Sequence, residues 1–233
     1  MTKTYKVSFK TYLNDRLKQV SFHGKLTHPL YVQLTYDRQT IFFKSFYFEL
    51  FSKPRYALFA AGKRGGPTIQ QVIEKENELI DFVINKLLPD FSLDGFKEAY
   101  SYYGRDLCDL TEPGFRDYLY TFFHDKGMPV LANTIKEGTK DSVPFDVVRD
   151  LKLALARPVY DELIENSLYY APPYLPLFGF MMQFKKWPIL SISVLEWKRE
   201  ETRVNFAEYV AKNYPGMNSK EMNSKVAKWV SLP

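Results

Sequence analysis

One cysteine, Cys108, stands in 233 residues, which excludes an intrachain disulfide framework, a multi-cysteine zinc ribbon and an iron–sulfur cluster. That scarcity fits a reducing, intracellular setting. Histidine is almost as rare. His23, His28 and His124 show no HExxH or mixed Cys/His spacing, so no metal site is expected. Long hydrophobic runs are missing too: the best, Leu175 to Phe184, is about half of the roughly 18 residues that span a bilayer, and Lys185 and Lys186 follow it. The opening Met1-Thr2-Lys3-Thr4-Tyr5-Lys6 has no apolar core of a secretory signal. The expected location is the cytoplasm, with no membrane partner.

Catalytic patterns are equally sparse. The carboxylates Asp106/Asp109 and Glu200/Glu201 fall on predicted helix surfaces without converging, so a glycosidase-like pair is unsupported. The stretch Ala61-Gly62-Lys63-Arg64-Gly65-Gly66-Pro67-Thr68 leads into a predicted helix but fails the GxxxxGK[ST] spacing of a nucleotide-binding P-loop. It reads either as a backbone-phosphate contact or as a plain connector. No catalytic group and no cofactor are assigned.

What the chain has is aromatic bulk and uneven charge. Nineteen Phe, seventeen Tyr and three Trp should supply an unusual share of the buried area. The net charge of +5 conceals a division along the chain. Residues 1–67 carry twelve basic against three acidic residues, a local charge of +9. Residues 68–150 carry nine against sixteen, or −7, and the remainder eleven against eight, or +3. A segment so cationic attracts polyanions, of which nucleic acid is the commonest inside cells. The competing reading is a lysine-rich surface neutralised by the acidic middle of the same chain.

Periodicity separates the chain into a sheet and a bundle. Residues 5–13 alternate, Tyr5, Val7 and Phe9 against Lys6, Ser8 and Lys10. Leu30, Val32, Leu34 and Tyr36 alternate with Tyr31, Gln33 and Thr35, and after Asp37-Arg38-Gln39 a β-branched and aromatic run covers Thr40 to Phe51. The expectation is a three-stranded antiparallel sheet with a hairpin at 37–39. Three strands need a cover, and the helix expected over 68–88 provides it: Thr68 and Gln71 fit a capping box, and an apolar stripe from Ile69 to Leu87 is broken only by Glu76. Helices with starts at Ser92, Thr111, Ser142, Ser193 and Asn218 follow. The fold class is α+β, a small N-terminal sheet covered by a helix and then a mainly α-helical bundle domain. The divisions are a basic sheet region at 1–66, a covering helix at 67–90 and a helical domain at 91–233. Tyr169 to Phe178 holds too much proline for a helix and too much apolar surface for a solvated linker. It reads as a buried crossover, or, over 169–180, as a docking surface for a protein partner or a second copy of the chain.

The candidate nucleic-acid-binding residues follow from the sheet. Lys6, Ser8 and Lys10 share one strand face, and Gln33 and Thr35 carry amide and hydroxyl groups suited to base edges. Arg38, Lys44, Lys63 and Arg64 are suited to phosphates, which position a protein without reading sequence. A β-ribbon of this kind can enter a major groove. DNA is favoured over RNA as the partner, although a basic aromatic sheet suits either.

The segment His28-Pro29-Leu30-Tyr31-Val32-Gln33-Leu34-Thr35-Tyr36-Asp37-Arg38-Gln39 resembles the hairpin that opens the arm-type DNA-binding domain of phage-like and transposon-borne tyrosine recombinases, especially those of the Bacteroides group. The resemblance covers roughly 85 residues and implies a three-stranded sheet, a following helix and a helical core-binding domain. It departs at the chemistry. None of His23-Gly24-Lys25-Leu26, His28-Pro29-Leu30-Tyr31 or His124-Asp125-Lys126-Gly127 is the His-x-x-Arg that such recombinases need beside their nucleophilic tyrosine. The resemblance therefore implies DNA binding of mobile-element type without strand exchange.

Overall fold

Alternating burial sets the first sheet. In the computed structural model, which describes residues 6–53, 66–140 and 142–231, β1 (Ser8–Leu13), β4 (Leu30–Tyr36) and β5 (Gln39–Lys44) pair antiparallel in the order β1-β4-β5. Leu30, Val32 and Leu34 are fully buried on one face of β4, while Tyr31, Gln33 and Thr35 point the other way. The hairpin turns on Asp37 and Arg38, both left-handed at φ 45° and 62°, with Tyr36 paired to Gln39. Two positive φ angles give the type I′ twist that matches flanking strands. A second hairpin, β2 (Val20–Phe22) with β3 (Lys25–Thr27), turns at His23 and Gly24. Its Phe22 ring stacks 4.9 Å from Phe48. That hairpin was not expected, because each strand has only three residues.

The run expected to continue as strand to Phe51 does not. Ser45 ends β5 and caps α1 (Phe46–Phe51), its hydroxyl accepting from the Phe48 amide. Tyr47, Phe48, Leu50 and Phe51 are buried, and the spacing i, i+1, i+3, i+4 is that of a helix face rather than of a pleat. The covering helix α2 (Ile69–Leu87) starts at the Thr68–Gln71 capping box as expected. Its Val72, Leu79, Ile80 and Val83 are fully buried, each worth about 1.5–3 kcal/mol of burial. α3 (Leu93–Gly104) adds Phe96 and Tyr100, whose rings lie 6.0 and 4.9 Å from Phe43 of β5. From α2, Asn77 accepts a hydrogen bond from Thr11 of β1. So α2 and α3 both cover the sheet. Accordingly the first of two units runs Met1–Gly104, beyond the boundary at 90 expected from sequence.

Glu76, the break in the α2 stripe, is a fully buried acceptor. Its carboxylate takes hydrogen bonds from the Ser45 hydroxyl at 2.5 Å, the Tyr47 amide at 3.1 Å and the Tyr100 hydroxyl. Tyr100 in turn accepts from the Phe46 amide. One carboxyl thus ties the start of α1 to α2 and α3. Burial pushes its pKa upward, against the pull of these donors.

The second unit, Arg105–Pro233, is helical. α4 (Leu107–Asp125) starts five residues before expectation, at Asp106 rather than at Thr111. The reason is geometric: Asp106, nearly fully buried, accepts from the Asp109 amide and from the Ile192 amide across the unit. Thr111 sits inside the helix and donates to the Leu107 carbonyl. After the left-handed Gly127, α5 (Pro129–Gly138) packs back on α4. α6 (Pro144–Ala154) and α7 (Arg157–Tyr170) follow, each with proline in its first turn. Ser142 does not cap α6; its hydroxyl donates to the Gly138 carbonyl.

The proline-rich stretch corrects a second expectation. Pro172 and Pro173 precede α8 (Tyr174–Phe184), and Pro176 falls in its first turn, where a missing amide proton costs nothing. Tyr174 and Leu177 are fully buried, and Leu175, Phe178, Phe180 and Met181 nearly so. Most of 169–180 is core, not a docking surface; Tyr169 and Tyr170 alone project. Tyr174 stacks on Phe115 and Phe180 meets Phe206 edge-on at 5.3 Å. The helix expected from Ser193 to Asn213 is two: α9 (Val194–Trp197), with the Ser193–Glu196 capping box, and α10 (Glu200–Asn213). α11 (Ser219–Ser231) closes the unit. Among the described residues, no helix is long and apolar enough to cross a membrane.

Candidate nucleic-acid interface

Strand register decides which side chains meet. β1 pairs Ser8 with Thr35, Lys10 with Gln33 and Tyr12 with Tyr31; β5 pairs Thr40 with Thr35, Phe42 with Gln33 and Lys44 with Tyr31. The face away from α2 and α3 therefore carries three cross-strand rows. The first is hydroxyl (Ser8, Thr35, Thr40), with Thr35 and Thr40 bonded oxygen to oxygen at 2.9 Å. The second is Lys10, Gln33 and Phe42. The third is Tyr12, Tyr31 and Lys44. Directly opposed residues stand about 4.5–5.5 Å apart at Cβ, so each row presents one continuous contact.

Five of the nine candidates, Ser8, Lys10, Gln33, Thr35 and Lys44, thus share this face. Lys6 is exposed just before β1, and Arg38 is exposed in the β4–β5 turn. Lys63 and Arg64 lie outside the described residues. Lys44 stands 3.5 Å from Glu49, both well exposed, an ion pair of little energy at the surface. Among the described residues, Lys6, Lys10, Arg16, Lys18, Lys25 and Arg38 make no ion pair, so the reading in which the acidic middle of the chain neutralises them finds no described contact to rest on. Lys10 Nζ hangs 5.9 Å from the Tyr12 ring centre, a weak cation–π contact at an exposed site.

Sequence reasoning missed the rings. Tyr12, Tyr31 and Phe42 share the face, with Phe42 60% exposed. Once the turn at 37–38 is fixed, partners across β4 and β5 have numbers adding to a constant, so pairing Gln33 with Phe42 could have been read from the hairpin. With Asn14, Asp15 and Arg16 these groups line a cleft of about 530 Å³. Its lining combines two cations, Lys10 and Arg16, one carboxylate, Asp15, two amides and three aromatic rings.

Elsewhere the residues offer less. Among the described residues no group of three or more His, Cys, Asp or Glu is placed to hold a metal ion. Cys108 is fully buried beside Met181. A groove of about 630 Å³ in the second unit is lined mainly by apolar and aromatic groups such as Phe145, Val148, Ile164 and Tyr214. Comparison with known proteins finds no family model, no curated protein and no solved structure that matches the chain.

Proposed function

We propose that this is a non-catalytic DNA-binding protein of integrase-related, mobile-element type, which holds its polyanion on the outer face of the N-terminal sheet. The observation that carries the reading is the register that gathers Ser8, Lys10, Gln33, Thr35 and Lys44 on one exposed face. Unpaired Lys6, Lys10 and Arg38 supply phosphate contacts, and Gln33 with the hydroxyl row supplies donors and acceptors for bases. The likeness of residues 28–39 to a recombinase arm domain supports the same assignment, as does the charge of +9 over residues 1–67.

If about six cations, Lys6, Lys10, Arg38, Lys44, Lys63 and Arg64, pair with phosphates, the log–log dependence of affinity on salt has a slope of roughly −5 on duplex DNA. Filter binding over a salt series measures it. Absence of binding at low salt, or binding indifferent to salt, refutes the proposal.

A further inference from the structure

The outer face has a feature that phosphate contact leaves unused. Phe42, on the edge strand β5, lies 60% exposed at the end of the middle row, opposite Gln33 and with Lys10 beyond it, while Tyr12 and Tyr31 lie in the next row. One exposed phenylalanine is ordinary on a soluble protein. Three rings in two adjacent rows, flanked by Lys10 and Lys44, make a patterned surface. The Phe42 and Tyr31 rings stack on no described ring, and Tyr12 meets only the Lys10 ammonium.

We infer that the occupant of this face is an unpaired nucleic-acid strand, its bases stacked on Phe42 and the two tyrosines and its backbone followed by Lys10 and Lys44. The inference rests on the nucleic-acid reading above and narrows its substrate. In a duplex the flat faces of the bases are hidden in the stack and only their edges are offered, as donors, acceptors and the thymine methyl. Of those edge features a phenyl ring can meet only the thymine methyl, and not the donors and acceptors. In an unpaired strand the base faces are available, and every base has one, so rings bind them with little regard to sequence. Charge complementarity selects the polyanion, and the rings select the unpaired form. DNA and RNA strands share the chemistry; a 2′-hydroxyl reader would distinguish them.

The test uses the full chain and fluorescence anisotropy with three labelled dodecamers of one mixed sequence: single-stranded DNA, single-stranded RNA and duplex DNA. The expected result is tighter binding of one or both single strands than of the duplex. Phe42→Ala then weakens single-strand binding by at least about five-fold, Phe42→Tyr restores it, and Lys10→Ala weakens every probe and flattens the salt dependence. Phe42 is exposed, so an unchanged thermal transition certifies that the variants fold. DNA preferred over RNA, or the reverse, identifies the source of the strand. Duplex bound as tightly as the single strands, with Phe42→Ala silent, overturns the inference while leaving the nucleic-acid reading standing. Failure of all three probes at low salt removes both.

Discussion

Replacing Glu76 by alanine should cost the first unit a large part of its stability. The carboxylate is the acceptor for three buried donors, the Ser45 hydroxyl, the Tyr100 hydroxyl and the Tyr47 amide. Each orphaned buried donor costs about 1–3 kcal/mol. Ser45 still accepts from the Phe48 amide and Tyr100 from the Phe46 amide, so part of the network survives and the sum is about 3–5 kcal/mol. A domain is typically stable by about 5–15 kcal/mol, which makes this loss severe. Glu76→Gln keeps one carbonyl oxygen for Ser45 and Tyr47 but turns a donor toward Tyr100, whose hydroxyl proton then loses its acceptor, so it should cost about 1–3 kcal/mol, less than the alanine variant. The two variants also separate on pH. The folded pKa of Glu76 is raised, chiefly by burial, so the folded state binds the proton more tightly than the unfolded one. This group's contribution is therefore full below the ordinary glutamate range and declines as pH rises through the higher folded value. Glu76→Gln removes that decline. Hydrogen exchange resolved over residues 69–87, in a urea series at acid and neutral pH, reads the effect. Fluorescence does not, because Trp187, Trp197 and Trp229 all belong to the second unit. A cost below about 1 kcal/mol for Glu76→Ala, or an unaltered pH slope in Glu76→Gln, refutes the reasoning.

Arg38→Gly should stabilise the β4–β5 hairpin by about 0.5–1 kcal/mol, since φ 62° suits glycine; if the proposed DNA binding holds, the same change should reduce its salt slope by about 0.9, and thermal melts with salt titrations check the pair. In the second unit, a Cβ at Gly179 would lie 2.2 Å from the Tyr209 hydroxyl. Gly179→Ala should therefore lower stability by about 1–3 kcal/mol, seen in the tryptophan transition. Asp106→Ala removes the α4 cap and the partner of the Ile192 amide, an expected cost of about 2–4 kcal/mol by the same fluorescence assay.

The sheet was legible because its strands alternate cleanly and Asp37-Arg38 breaks the run between them. So was α2, whose capping box and stripe agree. Residues 46–51 were misread because Phe-Tyr-Phe-Glu-Leu-Phe is apolar at nearly every position, and a short apolar run has no period to distinguish helix from strand. The helix is held by the Ser45 cap together with distant partners, Glu76 bonding Ser45 and Tyr47 and Tyr100 bonding the Phe46 amide. The same holds at Asp106: its cap competes locally with Thr111, and the Ile192 amide, 86 residues away, settles the start of α4. Pro176 argued against a helix that in fact begins just before it, at the positions where proline is tolerated. For the candidate site, charge and alternation found the polar members, while Tyr12, Tyr31 and Phe42 were left out of the candidates although the alternation already put Tyr31 beside Gln33.

Spacing along the strands gives the outer face a ruler. Side chains on one face recur every two residues, about 6.8 Å, twice the roughly 3.4 Å rise between stacked bases. Adjacent bases in a regular stack cannot each seat on adjacent rows, whereas a stretched strand can. For the proposed unpaired strand, the two ring-bearing rows with the hydroxyl row beyond would measure out a footprint of about three nucleotides, one per row. In a series of oligonucleotides of increasing length, affinity should climb steeply up to that size and then grow only as phosphates reach the outlying cations.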